Sequence, residues 1–321
     1  MKWKDVVEDS MLIVGCIVGV SFVTGKEVQV FVGNGKNIVL FAIVFAFCTF
    51  VLRQFCSKWQ LSSTQQFCQF AFGRGGLVLH FALLACYFVC LVTTLATVQS
   101  SFCQLVGNLP FPLWSAVVAT LSAFVVKGGA KAFKVLSTMA FVGAFVTFLM
   151  VSKNGAEQME LDVSPLSTTL YGLFSVTMVL PVCCKPMQKS KWQNLLCVAF
   201  ATLIVALLLW WIERIADFSL QLPIGGKLLG VGKICLCVTV WLCGMSGVVA
   251  NTLPILQGVA EIIPDKKLLC FVVMGLGWAF SCFGLDVLLK YGYLFVAVVG
   301  LAVVVRCFVQ KKLHYKDSGD F

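Results

Sequence analysis

The sequence has few charged residues and almost no histidine. Only 12% of its 321 residues are charged and only two are histidines, whereas about 25% of the residues of a soluble domain are charged. Hydrophobic residues make up 60% of the chain, and the mean hydropathy is +0.97. This composition excludes an ordinary soluble enzyme, a disordered protein and a fibrous protein, and it predicts a membrane protein with many spans.

Patterns that would indicate covalent or metal chemistry are also missing. No C-x-x-C occurs, and neither His80 nor His314 lies near a pair of cysteines, so zinc and iron–sulfur spacings are absent. H-E-x-x-H, G-x-S-x-G and paired intramembrane aspartates are absent too. We therefore expect no enzyme, no catalytic residue, no cofactor and no metal site. The sixteen cysteines are interpreted as small hydrophobic residues of the core.

The hydrophobic residues form unbroken runs, such as those from Ile38 to Val51 and from Leu195 to Trp211. Strands of outer-membrane barrels alternate polar and apolar residues, so a barrel is excluded. At about 20 residues for each membrane helix, the chain has room for ten spans and their loops. The predicted fold class is an all-α integral membrane protein.

The ten predicted spans divide into two groups of five. The first group is Val6 to Val32, Lys36 to Phe55, Leu77 to Val106, Phe111 to Val126 and Ala132 to Val151. The second group is Leu166 to Met187, Gln193 to Ala216, Leu228 to Ile262, Lys267 to about Leu285, and Val287 to Phe308. A polar stretch with several phenylalanines, between Arg53 and Gly76, predicts a short helix at the membrane interface.

The positive charges predict the orientation of the chain. With ten spans both termini lie on one side, and that side receives 17 of the 24 lysines and arginines. Cytoplasmic loops are enriched in these residues, so we expect a protein of the cytoplasmic membrane with both termini in the cytoplasm. The net charge of +10 indicates contact with the anionic headgroups of the lipid bilayer and not with nucleic acid.

Two spans contain residues that break helices. Span 1 has Gly15, Gly19 and Gly25 within one apolar run, and each glycine costs a helix about 1 kcal/mol relative to alanine. Span 6 contains Pro181, which cannot donate a hydrogen bond to the Thr177 carbonyl group. The sequence predicts discontinuous helices in both spans, with breaks at Gly19, Gly25 and Pro181.

The two predicted breaks are separated by about half the chain, and each lies in the first span of a group of five. Interrupted helices at corresponding positions are typical of transporters with an inverted repeat. The predicted repeats cover residues 5–152 and 165–309, and residues 310–321 form a short cytoplasmic tail. The alternative is that the glycines allow close packing and the proline only kinks its helix.

Glu27 and Lys26 lie within span 1. Ionisable residues at membrane depth are costly and by default mark a functional pathway. Adjacent residues of a helix do not face the same way, so Glu27 is expected to face the bundle while Lys26 faces elsewhere. Glu27 is predicted to handle a coupling ion, a proton or a cationic substrate. The alternative is that both residues lie near the outer mouth and pair with each other or with water.

The stretch G-C-I-V-G-V-S-F-V-T-G-K-E-V, from Gly15 to Val28, resembles the opening motif of the YkvI-like bacterial membrane proteins. These are placed with the LeuT-fold transporters of the amino acid–polyamine–organocation superfamily. Gly15, Gly19, Phe22 and Glu27 are among the residues that match the family pattern. The resemblance implies a LeuT-type 5+5 inverted repeat that transports a small solute. Val20, Ser21, Lys26 and the Phe174-Ser175 pair depart from the pattern, so the pocket or its activity differs from that of relatives.

The resemblance also implies a substrate site between spans 1, 3, 6 and 8. Its expected lining residues are Gly19, Val20, Ser21, Phe22, Thr24, Tyr87, Thr93, Phe174, Ser175 and Thr177. Free N–H groups near Ser21 and Thr24 would bind an anionic group such as a carboxylate. Ordinary helix packing with hydroxyl groups bonded to their own backbone is the alternative for each of them.

The coupling ion is Na⁺ or H⁺ in this interpretation. LeuT-fold sodium carriers use two adjacent hydroxyl residues on span 8, where this chain has Ser246 followed by Gly247. Only one hydroxyl group is therefore present, and a proton carried by Glu27 or uncoupled exchange would replace sodium.

Two functions remain open from the sequence. The first is a secondary active transporter of a small organic solute, of the amino acid or amine class, that works by alternating access. The second is a nutrient receptor or sensor subunit that uses a transporter fold without transport. A channel is disfavoured because no filter-like repeat or ring of charges is present.

Overall fold

The computed structural model describes most of the chain, and what it describes is helical. The described residues are 3–107, 112–151, 162–184, 190–218, 223–224, 230–260, 263, 265–283 and 285–317. No β-strand occurs in these ranges. The predicted all-α fold class is confirmed for this part of the chain.

The helices follow the predicted spans closely. In the first half they are α1 (Trp3–Ile17), α2 (Val20–Val23), a π-helical segment (Val28–Val32), α3 (Gly35–Lys58), α4 (Thr64–Phe72), α5 (Gly76–Leu105), α6 (Leu113–Val126) and α7 (Gly129–Val151). In the second half they are α8 (Pro165–Cys183), α9 (Lys191–Ile215), α10 (Val231–Val259), α11 (Lys266–Ser281), α12 (Leu285–Val287), a second π-helical segment (Leu288–Gly292) and α13 (Tyr293–Asp317).

Seven helical stretches of the described chain are long and apolar enough to cross a membrane. The short helix α6 is apolar as well, although it has only 14 residues. The chain is therefore a multi-pass membrane protein, as the composition indicates. The exact number of ten spans stays a prediction. Helix α4 occupies the stretch in which the interfacial helix is predicted.

Five helices begin at residues whose side chains cap the helix N-terminus. Asn34, Ser63, Ser164, Ser190 and Asp265 each cap an N-terminus by accepting a backbone N–H with the side chain. Such caps satisfy donors that have no partner inside the helix, and each is worth about 1 kcal/mol.

Span 6 is not discontinuous, which corrects the prediction made from Pro181. Helix α8 runs without a break through Pro181 and ends two residues later at Cys183. The proline leaves the Thr177 carbonyl group without its helical donor, and the hydroxyl group of Tyr87 on α5 donates to that oxygen at 3.4 Å. Because Tyr87 on α5 supplies a donor for this carbonyl group, α8 can remain helical through Pro181.

The second irregular segment lies in span 10 instead. The π-helical turn Leu288–Gly292 precedes α13, and the end of span 9 falls at Ser281 rather than at Leu285. Helix α13 continues to Asp317, so it includes part of the predicted tail. Parts of several predicted segments lie outside the described residues: residue 111 and residues 185–187, 228–229 and 261–262 at the ends of spans, and residues 318–321 of the tail.

Helices α7 and α10 contact each other through small and hydroxyl-bearing residues. Ser137 and Ser246 share a hydrogen bond of 2.9 Å between their Oγ atoms, and Thr147 and Thr239 share one of 2.9 Å between their Oγ1 atoms. All four side chains are buried. Membrane helices lack a hydrophobic drive to associate with each other, so close backbone approach and shared hydroxyl groups hold such pairs together.

A buried ion pair joins α1 to α3. The Arg53 guanidinium group contacts the carboxylate of Asp9, and its Nε donates to Oδ1 of Asn194 on α9 at 2.8 Å. Asp9 and Arg53 are each 5% exposed. The pair therefore fixes three helices at one end of the bundle, with its charges balanced inside the protein.

We expect Asp9→Asn to lower the free energy of unfolding by about 3–5 kcal/mol, because it leaves the Arg53 charge buried without a partner. The measurement is thermal unfolding in detergent. The matched control is Glu8→Gln, since Glu8 is paired with Lys134 but both side chains are well exposed (36% and 40%). An exposed pair contributes at most about 1 kcal/mol.

A double variant tests the cause. Asp9→Asn combined with Arg53→Met removes both charges and is expected to recover part of the lost stability. If the double variant is less stable than Asp9→Asn alone, the pairing of charges is not what makes Asp9 important.

Candidate functional site at the break in span 1

Span 1 is broken where its glycines predict a break. Helix α1 ends at Ile17, and α2 begins after Gly19, which has extended backbone angles. Gly25 follows α2 with a φ of +82°, a conformation that favours glycine over other residues. A Cβ atom at Gly25 would also lie 3.1 Å from Cβ of Pro223. The predicted breaks at Gly19 and Gly25 are therefore present.

The Glu27 side chain lies two residues beyond this break and is almost completely buried, at 4% exposure. Its Oε2 atom accepts a hydrogen bond of 2.5 Å from the Tyr171 hydroxyl group on α8. Its Oε1 atom accepts one of 2.7 Å from the Tyr293 hydroxyl group at the start of α13. Lys26, by contrast, is partly exposed. Glu27 thus faces the bundle, and its carboxyl group joins span 1 to spans 6 and 10.

A further polar contact extends from Glu27 to α5. The Ser21 side chain interacts with the Glu27 carboxyl group, and its Oγ shares a hydrogen bond of 3.0 Å with Oγ1 of Thr97. Thr97 in turn donates to the Thr93 carbonyl oxygen at 2.8 Å. The polar network therefore includes residues of four different spans.

Aromatic rings enclose the carboxyl group. The Phe31 ring is stacked against the rings of both tyrosines, with centroids 5.5 Å from Tyr171 and 5.3 Å from Tyr293. Phe174 is also stacked against both tyrosines, with ring centroids 4.0 Å from Tyr293 and 5.9 Å from Tyr171. These rings keep water away from Glu27, so its charge is compensated only by the groups that touch it directly.

Both π-helical segments lie next to this cluster. The first, Val28–Val32, begins directly after Glu27, and the second, Leu288–Gly292, ends directly before Tyr293. Single π-helical turns inside α-helices are rare and are frequent at functional sites, because they turn side chains out of the regular helical register. In this chain the two turns flank the donor and the acceptor of one hydrogen bond.

The other residues predicted for the substrate site lie in the core around α2 or on α5 and α8. Val20, Phe22 and Thr24 are buried in the core around α2. Thr93, Ser175 and Thr177 each donate their hydroxyl group to a carbonyl oxygen four residues earlier. This is the arrangement that the packing alternative describes, and a role of the three residues in substrate binding stays a prediction. Of the predicted substrate residues, Ser21 contacts the Glu27 carboxyl group, Phe174 is stacked on Tyr293, and Thr93 joins the polar network through its carbonyl oxygen.

The predicted sodium ligand Ser246 lies apart from this cluster. Its hydroxyl group is paired with Ser137 on α7, and a Cβ atom at Gly15 would lie 2.7 Å from that serine. Ser137 is therefore the residue of this pair that lies against α1, and the Ser246 hydroxyl group takes part in the contact between α7 and α10.

Sequence reasoning missed Tyr171, Tyr293 and Phe31 as partners of Glu27. One signal was available, because the chain has only five tyrosines and a tyrosine inside an apolar span needs a hydrogen-bond partner. That signal indicates that each of these tyrosines has a partner, but not that two of them share one.

Comparisons with known proteins concern the fold. No family model matches the chain, and no curated protein matches it. The chain is similar to Mhp1, a nucleobase-cation-symport-1 family transporter solved in a closed conformation with bromovinylhydantoin bound, with a TM-score of 0.58 and 15% identity over 88% of this chain and 74% of that one. A manganese transporter from Eremococcus coleocola, solved with an aromatic bis-isothiourea substituted compound, matches with a TM-score of 0.48 and 11% identity over 96% of this chain and 86% of that one. The first likeness shows a shared membrane fold, and at this identity it shows the fold alone.

We expect Tyr171→Phe and Tyr293→Phe each to lower the free energy of unfolding by about 1.5–3 kcal/mol, because each removes a hydrogen bond to a buried carboxyl group. The measurement is thermal unfolding in detergent, repeated in a Glu27→Gln background. There the loss should be smaller by at least about 0.5 kcal/mol, as expected for side chains that interact directly.

The control is Tyr291→Phe, since Tyr291 is 61% exposed and a surface change is expected to alter stability by less than about 0.5 kcal/mol. Equal losses in the wild-type and Glu27→Gln backgrounds would show that the two tyrosines stabilise the bundle without acting through Glu27.

Proposed function

We propose that the chain is a secondary active transporter of a small organic solute, of the amino acid or amine class, that works by alternating access in the cytoplasmic membrane. The observation that carries this proposal is the buried Glu27 carboxyl group at a helix break, held by hydroxyl groups from two other spans. A carboxyl group at membrane depth is costly, and by default it marks a pathway for a solute or an ion.

The arrangement of the break suits movement. In transporters, breaks in membrane helices lie at the binding site. Here α2 and the π-helical segment after it can shift relative to α1 around Val18 and Gly19. Such a shift would exchange the hydroxyl partners of Glu27, so the protonation or ligand state of Glu27 would be linked to the position of the segment.

Helix packing supports a LeuT-type 5+5 inverted repeat of ten spans, with halves at 5–152 and 165–309. In such a repeat, α1 corresponds to α8 and α3 corresponds to α9. Helix α3 packs along α8, and α9 packs along α1. The second span of each half thus contacts the first span of the other half, which a two-fold relation between the halves would produce. The likeness to Mhp1 is consistent with this arrangement.

Membership of the YkvI-like group rests on the span 1 motif. The matching residues have structural roles in this chain: Gly19 and Gly25 lie at the break, and Glu27 is the centre of the polar cluster. Gly15 allows α1 to approach Ser137 closely. These roles explain why such a motif would be kept together in one family.

A proton is the better candidate for the coupling ion than sodium. The only hydroxyl group that span 8 offers at the predicted sodium site belongs to Ser246, and it is bonded to Ser137. Glu27 is titratable, so it can carry a proton without a set of further ligands. We therefore assign the coupling role to Glu27 and retain Na⁺ with Ser246 as the second possibility.

We expect Glu27→Gln to abolish uptake in proteoliposomes while the variant still folds, because glutamine keeps the size of the side chain but cannot take up or release a proton. The solute is first found by a thermal-stability screen of amino acids, amines and organic acids in sodium and in potassium. A ligand at 100 times its dissociation constant stabilises the folded protein by about 2.7 kcal/mol.

Glu8→Gln is the matched control and should transport like the wild type. Wild-type uptake by Glu27→Gln would remove Glu27 from the mechanism. Saturable binding by the wild type with no flux in sealed vesicles would instead select the receptor function.

A further inference from the structure

A cavity of about 390 Å³ lies directly beside the Glu27 cluster. It is bounded by the first π-helical segment, by the N-terminal half of α8, and by the second π-helical segment with the start of α13. Its lining residues include Phe31, Ser167, Leu170, Tyr171, Leu289 and Tyr293. The walls are apolar and aromatic, so the cavity suits an organic solute with an apolar body better than it suits a sugar or an inorganic ion.

The same tyrosines form the boundary between the cavity and Glu27. Tyr171 and Tyr293 contribute to the cavity wall, and their hydroxyl groups donate to the two carboxyl oxygens. The Phe31 ring, which also lines the cavity, is stacked against both tyrosine rings. A solute in this cavity therefore meets aromatic rings first and a carboxyl group immediately behind them.

Among the described residues, no cationic side chain forms an ion pair with the Glu27 carboxyl group. Its partners are the neutral hydroxyl groups of Tyr171, Tyr293 and Ser21. The two ion pairs among the described residues involve Asp9 and Glu8 instead. A buried carboxylate without a cation is unfavourable by several kcal/mol. Glu27 must therefore bind a proton or a positive charge from outside the described side chains.

The neighbouring helices present few other groups that titrate. Helix α8 presents Tyr171, α13 presents Tyr293, and Cys90 on α5 lies close enough to interact with Glu27. Helix α3 presents the Phe41 ring against Tyr171. On α9, Ile212 lies near Gly25, and the Glu213 carboxylate lies 3.7 Å from a Cβ position at Gly35. Glu27 is the acidic group at the centre of the cluster.

We infer that this site, given the proposed transport function, takes an organic monocation with an aromatic or apolar body, and that this cation and a proton occupy Glu27 in turn. Aromatic faces attract ammonium groups, and the attraction grows to about 2 kcal/mol or more where water is excluded. The cavity supplies those faces, and Glu27 supplies the opposite charge.

The cation and the proton cannot occupy Glu27 at the same time, and this couples the movement of one to that of the other. One carboxylate balances one positive charge, so the arriving ammonium group displaces the proton of Glu27 to water. A cation that leaves is replaced by a proton in the same way. Each turnover therefore exchanges one monocation for one proton. Anionic solutes are disfavoured because they would approach a carboxylate, and neutral solutes would leave the proton in place.

The probes are phenethylammonium, its neutral analogue phenethyl alcohol and its anionic analogue 3-phenylpropionate, tested on the full-length protein in weakly buffered detergent solution. Phenethylammonium is expected to raise the melting temperature and, at acidic pH, to release about one proton per bound cation. Its affinity should rise by up to about tenfold per pH unit while Glu27 is protonated, because binding favours the ionised form. The alcohol and the acid should do neither.

Three variants test whether the stabilisation and the proton release occur at Glu27. Glu27→Gln should lose both the stabilisation and the proton release, whereas Glu8→Gln should keep both. Tyr293→Phe keeps the carboxyl group, so it should still release a proton on binding with a changed affinity. It serves as the readout if Glu27→Gln does not fold.

The outcomes separate this inference from the proposed function. Stabilisation by all three probes, or by the cation without proton release, would overturn exchange at Glu27 while leaving transport of another solute class open. Proton release that persists in Glu27→Gln would assign the exchange to another group and would also overturn the inference. Cation binding with proton release but no flux in vesicles would support the site chemistry and would contradict the transport function.

Discussion

The cost of burying one carboxyl group governs the structure around span 1. Glu27 is 4% exposed inside the helix bundle, where no charged side chain of the described residues contacts its carboxyl group. Two tyrosine hydroxyl groups do so instead, and they come from helices that are 144 and 266 residues away in sequence. The π-helical turns on either side of this contact, and the stacked rings around it, are what place these groups together.

The chain contains a second buried acidic residue, and the contrast between the two is informative. Asp9 is paired with Arg53, which also bonds to Asn194, so its charge is balanced within the protein. That arrangement holds α1, α3 and α9 together, and the Asp9 charge needs no ligand to balance it. Glu27 is held by neutral donors, so its charge state can change. Full pairing suits a structural role, whereas neutral partners suit a group that exchanges protons or cations.

Sequence patterns predicted the local features well. The apolar runs gave most helix positions to within a few residues, with α13 as the exception because it continues beyond its predicted end into the tail. The glycines of span 1 located the break at Gly19 and Gly25. Glu27 was identified because an ionisable residue inside an apolar run is conspicuous without any structure. Each of these features depends on a short stretch of chain.

Features that depend on contacts between distant residues were not predicted. Pro181 was expected to break α8, but Tyr87 on α5 donates to the carbonyl group that the proline leaves free. The partners Tyr171 and Tyr293 depend on which faces of three helices meet, and hydrophobic periodicity does not give that register. The π-helical turn Leu288–Gly292 was not predicted either, because its sequence is part of a continuous apolar run. For the same reason, three of the predicted site hydroxyl groups proved to be bonded to their own helices.

The most direct test of this account is an experimental structure with the solute that stabilises the protein best. The account predicts that the solute lies between the rings of Phe31, Tyr171 and Tyr293, with its positive group against the Glu27 carboxylate and at least one tyrosine hydroxyl group displaced. A bound solute elsewhere in the bundle, with both tyrosines still bonded to Glu27, would contradict it.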